Sequence, residues 1–147
     1  MTMNINYDNL KEEYLDKIAA LDKMCFTLNW SRELFASELT NPHAHYILAF
    51  LGDELVAYGG IISVAGEGSI TNIAVHPDYR HRGIASSILQ NLISQTADDH
   101  LEFITLEVRE SNTNAIKLYE KFGFKKVGSR KNYYYDNHET ALLMTKF

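Results

Sequence analysis

The stretch HPDYRHRGIASSIL, residues 76–89, is the junction on which the fold turns. Before it, Ser69–Val75 reads SITNIAV, a strand that ends at the His76-Pro77 turn signal. After it, Ile84, Ile88, Leu89, Leu92 and Ile93 recur on one face of a helix. Between them lie Arg80, His81 and Arg82, followed by Gly83. A helix N-terminus exposes unpaired N–H groups and carries partial positive charge. Gly83 lacks a Cβ, so an anion can approach the backbone closely. Strand, cationic turn, glycine and helix therefore form either a pyrophosphate cradle or a solvated basic turn with a helix-starting glycine. The glycine patterns of P-loop and dinucleotide-binding sites are both absent.

Working outward, apolar and turn residues alternate along the whole chain. Residues 3–7, MNINY, suggest a short strand, and Leu15, Ile18, Leu21 and Cys25 place a helix over Lys11–Phe26. Ser31 is the expected N-cap of a second helix carrying Leu34, Phe35 and Leu39, stopped by Asn41-Pro42-His43. Two apolar runs flank Gly52-Asp53-Glu54 as a hairpin, and Gly66–Gly68 marks another turn. Downstream, LEFITLEV (residues 101–108) reads as a strand. Ala115, Leu118, Tyr119 and Phe122 read as a short helix ending at Gly123. Strands over Phe124–Tyr135 and Thr140–Phe147 complete the chain. The order βααβββαβαββ predicts an α+β fold, a mixed sheet with helices on its faces. No repeat or Gly/Ser/Pro linker intervenes, so residues 1–147 read as a single domain.

The net charge of −5 argues against a general nucleic-acid binder and suits a basic partner. The single cysteine, Cys25, excludes an internal disulfide and reads as a buried thiol in a reducing compartment. The first 25 residues carry Asp8, Glu12, Glu13 and Asp16 with no continuous apolar run. No secretory signal or membrane span is expected, and the predicted location is the cytoplasm. His43 and His45 lack a nearby third ligand, so no metal site is expected.

A second cluster lies in residues 106–124, LEVRESNTNAIKLYEKFGF. Glu107 alternates with Leu106 and Val108 along the strand. It is either a partly desolvated carboxylate with a pKa raised toward that of a general base, or a rim carboxylate paired with Arg109. Tyr119 is either a proton donor or a core aromatic. Its ordinary pKa of about 10 lies near that of a departing thiol, about 8.5. Asn112 either caps the helix or faces a ligand. Trp30, Tyr133 and Tyr134 either line an acceptor groove or pack against strands.

Together these residues resemble the GNAT (Gcn5-related) N-acetyltransferase superfamily. Arg80-His81-Arg82-Gly83-Ile84-Ala85 fits the R/Q-x-x-G-x-G/A acetyl-CoA motif, with alanine at the last position. NIAVHPDYR before it, LEVRESNTNAIKLYEKFGF after it and RKNYY at Arg130–Tyr134 narrow the similarity to the ribosomal-protein-alanine N-acetyltransferase (RimI) type. Asn29-Trp30-Ser31 stands where relatives of that type often have PWS, which bears on the substrate-side loop.

The resemblance implies a central sheet whose strands splay to admit acetyl-CoA. It implies that the backbone of Ile73, Ala74 and Val75 pairs with the pantetheine arm. His81, Arg82, Gly83, Ile84, Ala85 and Ser86 would wrap the pyrophosphate, and Asn112 would touch the cofactor. Glu107 would act as base and Tyr119 as acid. The implied acceptor is a protein N-terminus, that of a ribosomal protein beginning with alanine. The alternatives are lysine side chains, small amines such as polyamines, or a non-catalytic acyl-CoA-binding module. A free α-amine has a pKa near 7.7–8.0 against about 10.4 for lysine, so deprotonating it costs about 3.4 kcal/mol less.

Overall fold

The computed structural model describes residues 4–147. The elements are β1 (Ile5–Asp8), α1 (Leu15–Cys25), α2 (Arg32–Glu38), β2 (Ala44–Leu51), β3 (Glu54–Val64), β4 (Glu67–Val75), α3 (Ile84–Gln95), β5 (Phe103–Arg109), α4 (Thr113–Lys121), β6 (Lys125–Arg130) and β7 (Ala141–Lys146). The sequence-predicted order βααβββαβαββ therefore holds. The strands form one seven-stranded mixed sheet in the order β1-β2-β3-β4-β5-β7-β6. Neighbours are antiparallel except β4 and β5, which are parallel. That one parallel step is the crossover that carries α3 over the sheet.

The two faces bury different sets of residues. On one face, Leu15, Ile18 and Leu21 of α1 and Phe35 of α2 pack on Leu48, Phe50 and Tyr58. On the other, Ile84, Ile88, Leu89 and Leu92 of α3 pack on Ile47, Ala57, Ile61 and Leu106. Ile88, Leu89 and Leu92 are fully buried. Burial of each such side chain is worth roughly 1.5–3 kcal/mol. The helical spacing of the apolar residues sets this face. Gly59 of β3 lets α3 approach, because a Cβ there would overlap Ile88 Cγ2 and Leu92 Cδ1.

Several expected boundaries move. The first helix begins at Leu15, after a single 3-10 turn over Glu12–Tyr14. Of the expected strand over residues 3–7, Met3 lies outside the described residues and β1 starts at Ile5. The turn expected at Gly66–Gly68 is Ala65-Gly66, both at positive φ (52° and 80°), and Glu67 already belongs to β4. Two consecutive left-handed residues match the twist of a tight hairpin. The strand expected to run to Tyr135 stops at Arg130. Residues 131–140 form an irregular β6–β7 loop, with Asn132 and His138 at φ 55° and 60°.

Candidate active site

The site begins where the sheet fails to close. β4 and β5 pair only through Glu67↔Phe103, Gly68↔Ile104 and Ser69↔Thr105. Beyond Ser69 the two strands diverge. Just there, Gly60 of β3 faces Asn72 and Ile61 faces Ile70, leaving Thr71 as an extra residue. Such a bulge bends its strand and strengthens its twist. The β5-facing backbone edge of β4 is left without a ladder partner. β5 turns instead to β7, with which it pairs from Ile104 to Arg109.

The resulting cleft has a volume of about 450 Å³. Ile73, Ala74 and Val75 form its β4 wall, and Ala115, Leu118 and Tyr119 of α4 its opposite wall. At one mouth stand His81, Gly83, Ile84, Ala85 and Ser86. Gly83 is the N-cap of α3 with φ +80°, and it supplies no side-chain cap. The first amides of the helix thus have no acceptor from their own cap. Nothing lies within 4 Å of a Cβ built on Gly83, so the space above the helix end is open. His81, at φ 63°, is also left-handed, and the two residues together curl the turn. Arg80 Nε donates to the Val75 carbonyl at 3.1 Å and pins that turn to the end of β4. Apolar walls, unpaired helix amides and flanking arginines fit an elongated acyl thioester with a diphosphate at one end.

The expected cofactor residues therefore surround one space, apart from Arg82, whose guanidinium lies 5.6 Å from the Tyr79 ring. Asn112 caps α4 and also borders the cleft. Its Oδ1 accepts from Ala115 N at 3.2 Å. Tyr119 lies in the same wall, 8% exposed, with its ring 5.8 Å from Phe124. Burial, with a smaller contribution from Tyr134, pushes its pKa up to about 12. The phenol is therefore protonated throughout the neutral range.

Of its two readings, Glu107 follows the rim carboxylate and not the desolvated one. Leu106 and Val108 point into the core, whereas Glu107 is exposed on the other face of β5. The expected desolvation is absent because α1 and α2 cover the sheet only as far as β4. Nor does Glu107 pair with Arg109, whose guanidinium contacts Asp136 and Glu139 instead. The neighbouring Glu107 carboxylate is the main cause of a raised Tyr133 pKa. Tyr133 and Tyr134 sit edge to face at 5.1 Å in the β6–β7 loop, not in a strand. Trp30 packs on Phe35 at 5.4 Å, and its backbone N–H donates to Asp22 Oδ2 at 2.8 Å. Asp22 is fully buried and also accepts from the Tyr58 hydroxyl at 2.6 Å. Burial raises its pKa against the pull of those two bonds. This buried carboxylate fixes the α1–α2 loop to the sheet.

Other lining residues carried no local signal in the sequence. Cys25 is half-buried against the α1–α2 core and also lines the cleft, its Sγ 3.4 Å from the Val75 carbonyl. Phe26, Tyr79 and Asn114 also line it. Ala115, Leu118 and Tyr119 were legible as one helical face, which is the face turned to the cleft. Among the described residues, no group of three or more His, Cys, Asp or Glu side chains is placed to hold a metal ion. No helix there is long and apolar enough to cross a membrane.

Comparison with known proteins gives the same picture. The chain is 37% identical over 137 residues to a Bacillus subtilis (strain 168) protein provisionally named ribosomal protein bS18-alanine N-acetyltransferase, covering 92% of this chain and 91% of the relative. The crystal structure of the ribosomal-protein-S18-alanine N-acetyltransferase from Escherichia coli superposes with a TM-score of 0.89 at 29% identity, covering 97% of this chain and 93% of that one. Arabidopsis thaliana NAA60, solved in complex with acetyl-CoA, shares the fold with a TM-score of 0.86 at 18% identity, over 98% of this chain and 99% of that one. The sequence profile of the Acetyltransferase (GNAT) family matches residues 15–124. The match of this profile over most of the sequence, together with the 37% identity to the Bacillus subtilis relative, shows that the chain belongs to the GNAT family of acetyltransferases.

Proposed function

We propose that this protein acetylates the N-terminal α-amine of a protein chain, a ribosomal protein beginning with alanine, in the cytoplasm where such chains are made. The supporting observation is the divergence of β4 from β5, which leaves a cleft with α3 amides at one end and Tyr119 in its wall. The names of the related proteins support the choice of acceptor. Acetyl-CoA, when bound, supplies an activated acetyl thioester. The amides of Ile84, Ala85 and Ser86, with His81 and Gly83, hold its diphosphate. The β4 edge at Ile73, Ala74 and Val75 holds the pantetheine arm, and Asn112 contacts it from α4.

Glu107 takes the proton from the incoming ammonium, directly or through water. An exposed carboxylate suits an α-amine, which is partly neutral near pH 8 and needs a modest base. Tyr119 donates its proton to the departing sulfur. A pKa of about 12 makes Tyr119 a reluctant donor in water. The same apolar surroundings raise the basicity of the thiolate, so the mismatch narrows inside the cleft. Trp30, Tyr133 and Tyr134 flank the acceptor.

The test is incubation with acetyl-CoA and a panel of N-terminal peptides, alongside Nα-blocked lysine peptides and polyamines, read by mass spectrometry. Acetyl on the α-amine of alanine-terminated peptides is the expected result. Acetylation confined to polyamines or lysines rejects the acceptor assignment. Tight acetyl-CoA binding with no turnover on any amine supports a binding module. Glu107→Gln removes the base, so the rate should fall by ~10²-fold at pH 7 and recover partly at higher pH, where the amine is already neutral. Unchanged turnover at every pH removes Glu107 from the mechanism.

A further inference from the structure

We propose that Arg109 is a positioning residue: it holds the β6–β7 loop, and with it Tyr133 and Tyr134, over Glu107. Arg109 is the last residue of β5, two positions beyond Glu107. Its Nη2 donates to Asp136 Oδ2 at 2.9 Å. Its Nη1 donates to Glu139 Oε1 and to Asn137 Oδ1, each at 3.2 Å. The guanidinium carbon stands 4.0 Å from the centre of the Tyr134 ring. One side chain thus contacts four residues of a single loop. Its own side chain is 26% exposed, and those of Asp136 and Glu139 are 18% and 15% exposed.

Bonds within the loop and at its end also order it: Glu139 N donates to Asn137 Oδ1 at 3.0 Å, Asn137 N to Asp136 Oδ1 at 2.9 Å, and Glu110 N to the Thr140 carbonyl at 3.1 Å. Tyr134 N donates to Glu139 O at 3.3 Å, and His138 N to Tyr134 O at 2.7 Å. Asp136 and Glu139 bring two carboxylates to the same place, and without the arginine they repel. Glu139 also accepts from Ser111 N at 2.7 Å, which joins the loop to the turn before α4. A planar fork satisfies both carboxylates, the amide oxygen and the aromatic face at once. A lysine ammonium is a single point charge and cannot. The clamp bears on the acceptor side because Arg109 and Glu107 share one face of β5, and the Tyr134 ring beside the guanidinium meets Tyr133 edge to face at 5.1 Å. Arg109 does not line the cofactor cleft. Its effect therefore belongs to the acceptor and not to acetyl-CoA. The acceptor is the one assigned in the preceding section, and the inference rests on that reading.

Full-length wild type, Arg109→Lys and Arg109→Met are to be compared by three measurements. These are acetyl-CoA Kd by calorimetry, KM and kcat with an alanine-terminated peptide, and hydrogen exchange at the Tyr134 and His138 amides. Misplacing a positioned group by an ångström costs orders of magnitude, so Arg109→Lys should raise the peptide KM by ~10-fold or more. Acetyl-CoA Kd should stay within about twofold, while the two amides exchange ~10-fold faster as local opening becomes easier. Unchanged peptide KM and unchanged exchange overturn the proposal. Parallel weakening of both ligands, with a lowered unfolding temperature, also overturns it, because Arg109 is then a general structural residue. If Arg109→Met does not fold, the lysine variant decides. If wild type turns over no peptide α-amine, the acceptor reading fails, and exchange alone still reports whether Arg109 holds the loop.

Discussion

Tyr119 and Glu107 sit in opposite solvent environments, and that contrast governs what each can do. Tyr119 is buried in the cleft wall with its pKa pushed up to about 12, so its proton is present at every working pH. Tyr119→Phe keeps the ring and its packing on Phe124 and removes only the proton. The expected outcome is a fall in kcat of ~10²-fold or more with acetyl-CoA Kd within about twofold. An equal loss in cofactor affinity would assign the hydroxyl to binding instead. Gly83 is a second position where one atom matters. Its φ of +80° costs an alanine roughly 1–2 kcal/mol, although the space around it is open. Gly83→Ala should lower the unfolding temperature and weaken acetyl-CoA binding together, as measured by thermal melts and calorimetry.

At the scale of elements, local pattern and tertiary context parted company in the last third of the chain. The apolar periodicity of α3 and the N-cap at Ser31, which accepts from Leu34 N at 3.2 Å, could be read directly. So could the cleft-facing side of α4, because these signals lie within one or two helical turns. The end of β6 could not. Tyr133, Tyr134 and Tyr135 have high strand propensity and look like a continuation. The loop's carboxylates, Asp136 and Glu139, pair with an arginine 27 and 30 residues earlier in the chain, outside any local window. The choice between the two readings of Glu107 stayed open for a related reason, since strand alternation assigns a face but not what covers it. The divergence of β4 from β5 leaves no mark in periodicity, and it entered the sequence reading only through the family resemblance. The contact between α3 and β3 offers a test at this scale. Gly59→Ala forces Ile88 and Leu92 to move, and overpacking of this kind costs about 1–3 kcal/mol. Urea denaturation should show a lower midpoint with an unchanged slope.

For the whole molecule, acid tests the join between β5, the β6–β7 loop and α4. Ser111, through its hydroxyl and its N–H, holds the Glu139 carboxyl down at about 2, with Arg109 adding to the effect. A carboxyl depressed in the folded state contributes stability that is full above its ordinary value near 4.5 and is lost as pH falls through about 2. Unfolding free energy should therefore drop across that window, and Glu139→Gln should flatten the drop while leaving neutral-pH behaviour less changed. The three residue pairs joining β4 to β5 have a mechanical consequence. The sheet is two leaves whose backbones are joined at a short spine. A molecule lodged between them braces both at once, so coenzyme A should slow amide exchange in β4 and in β5 together, and the enzyme should be stiffest when it is loaded.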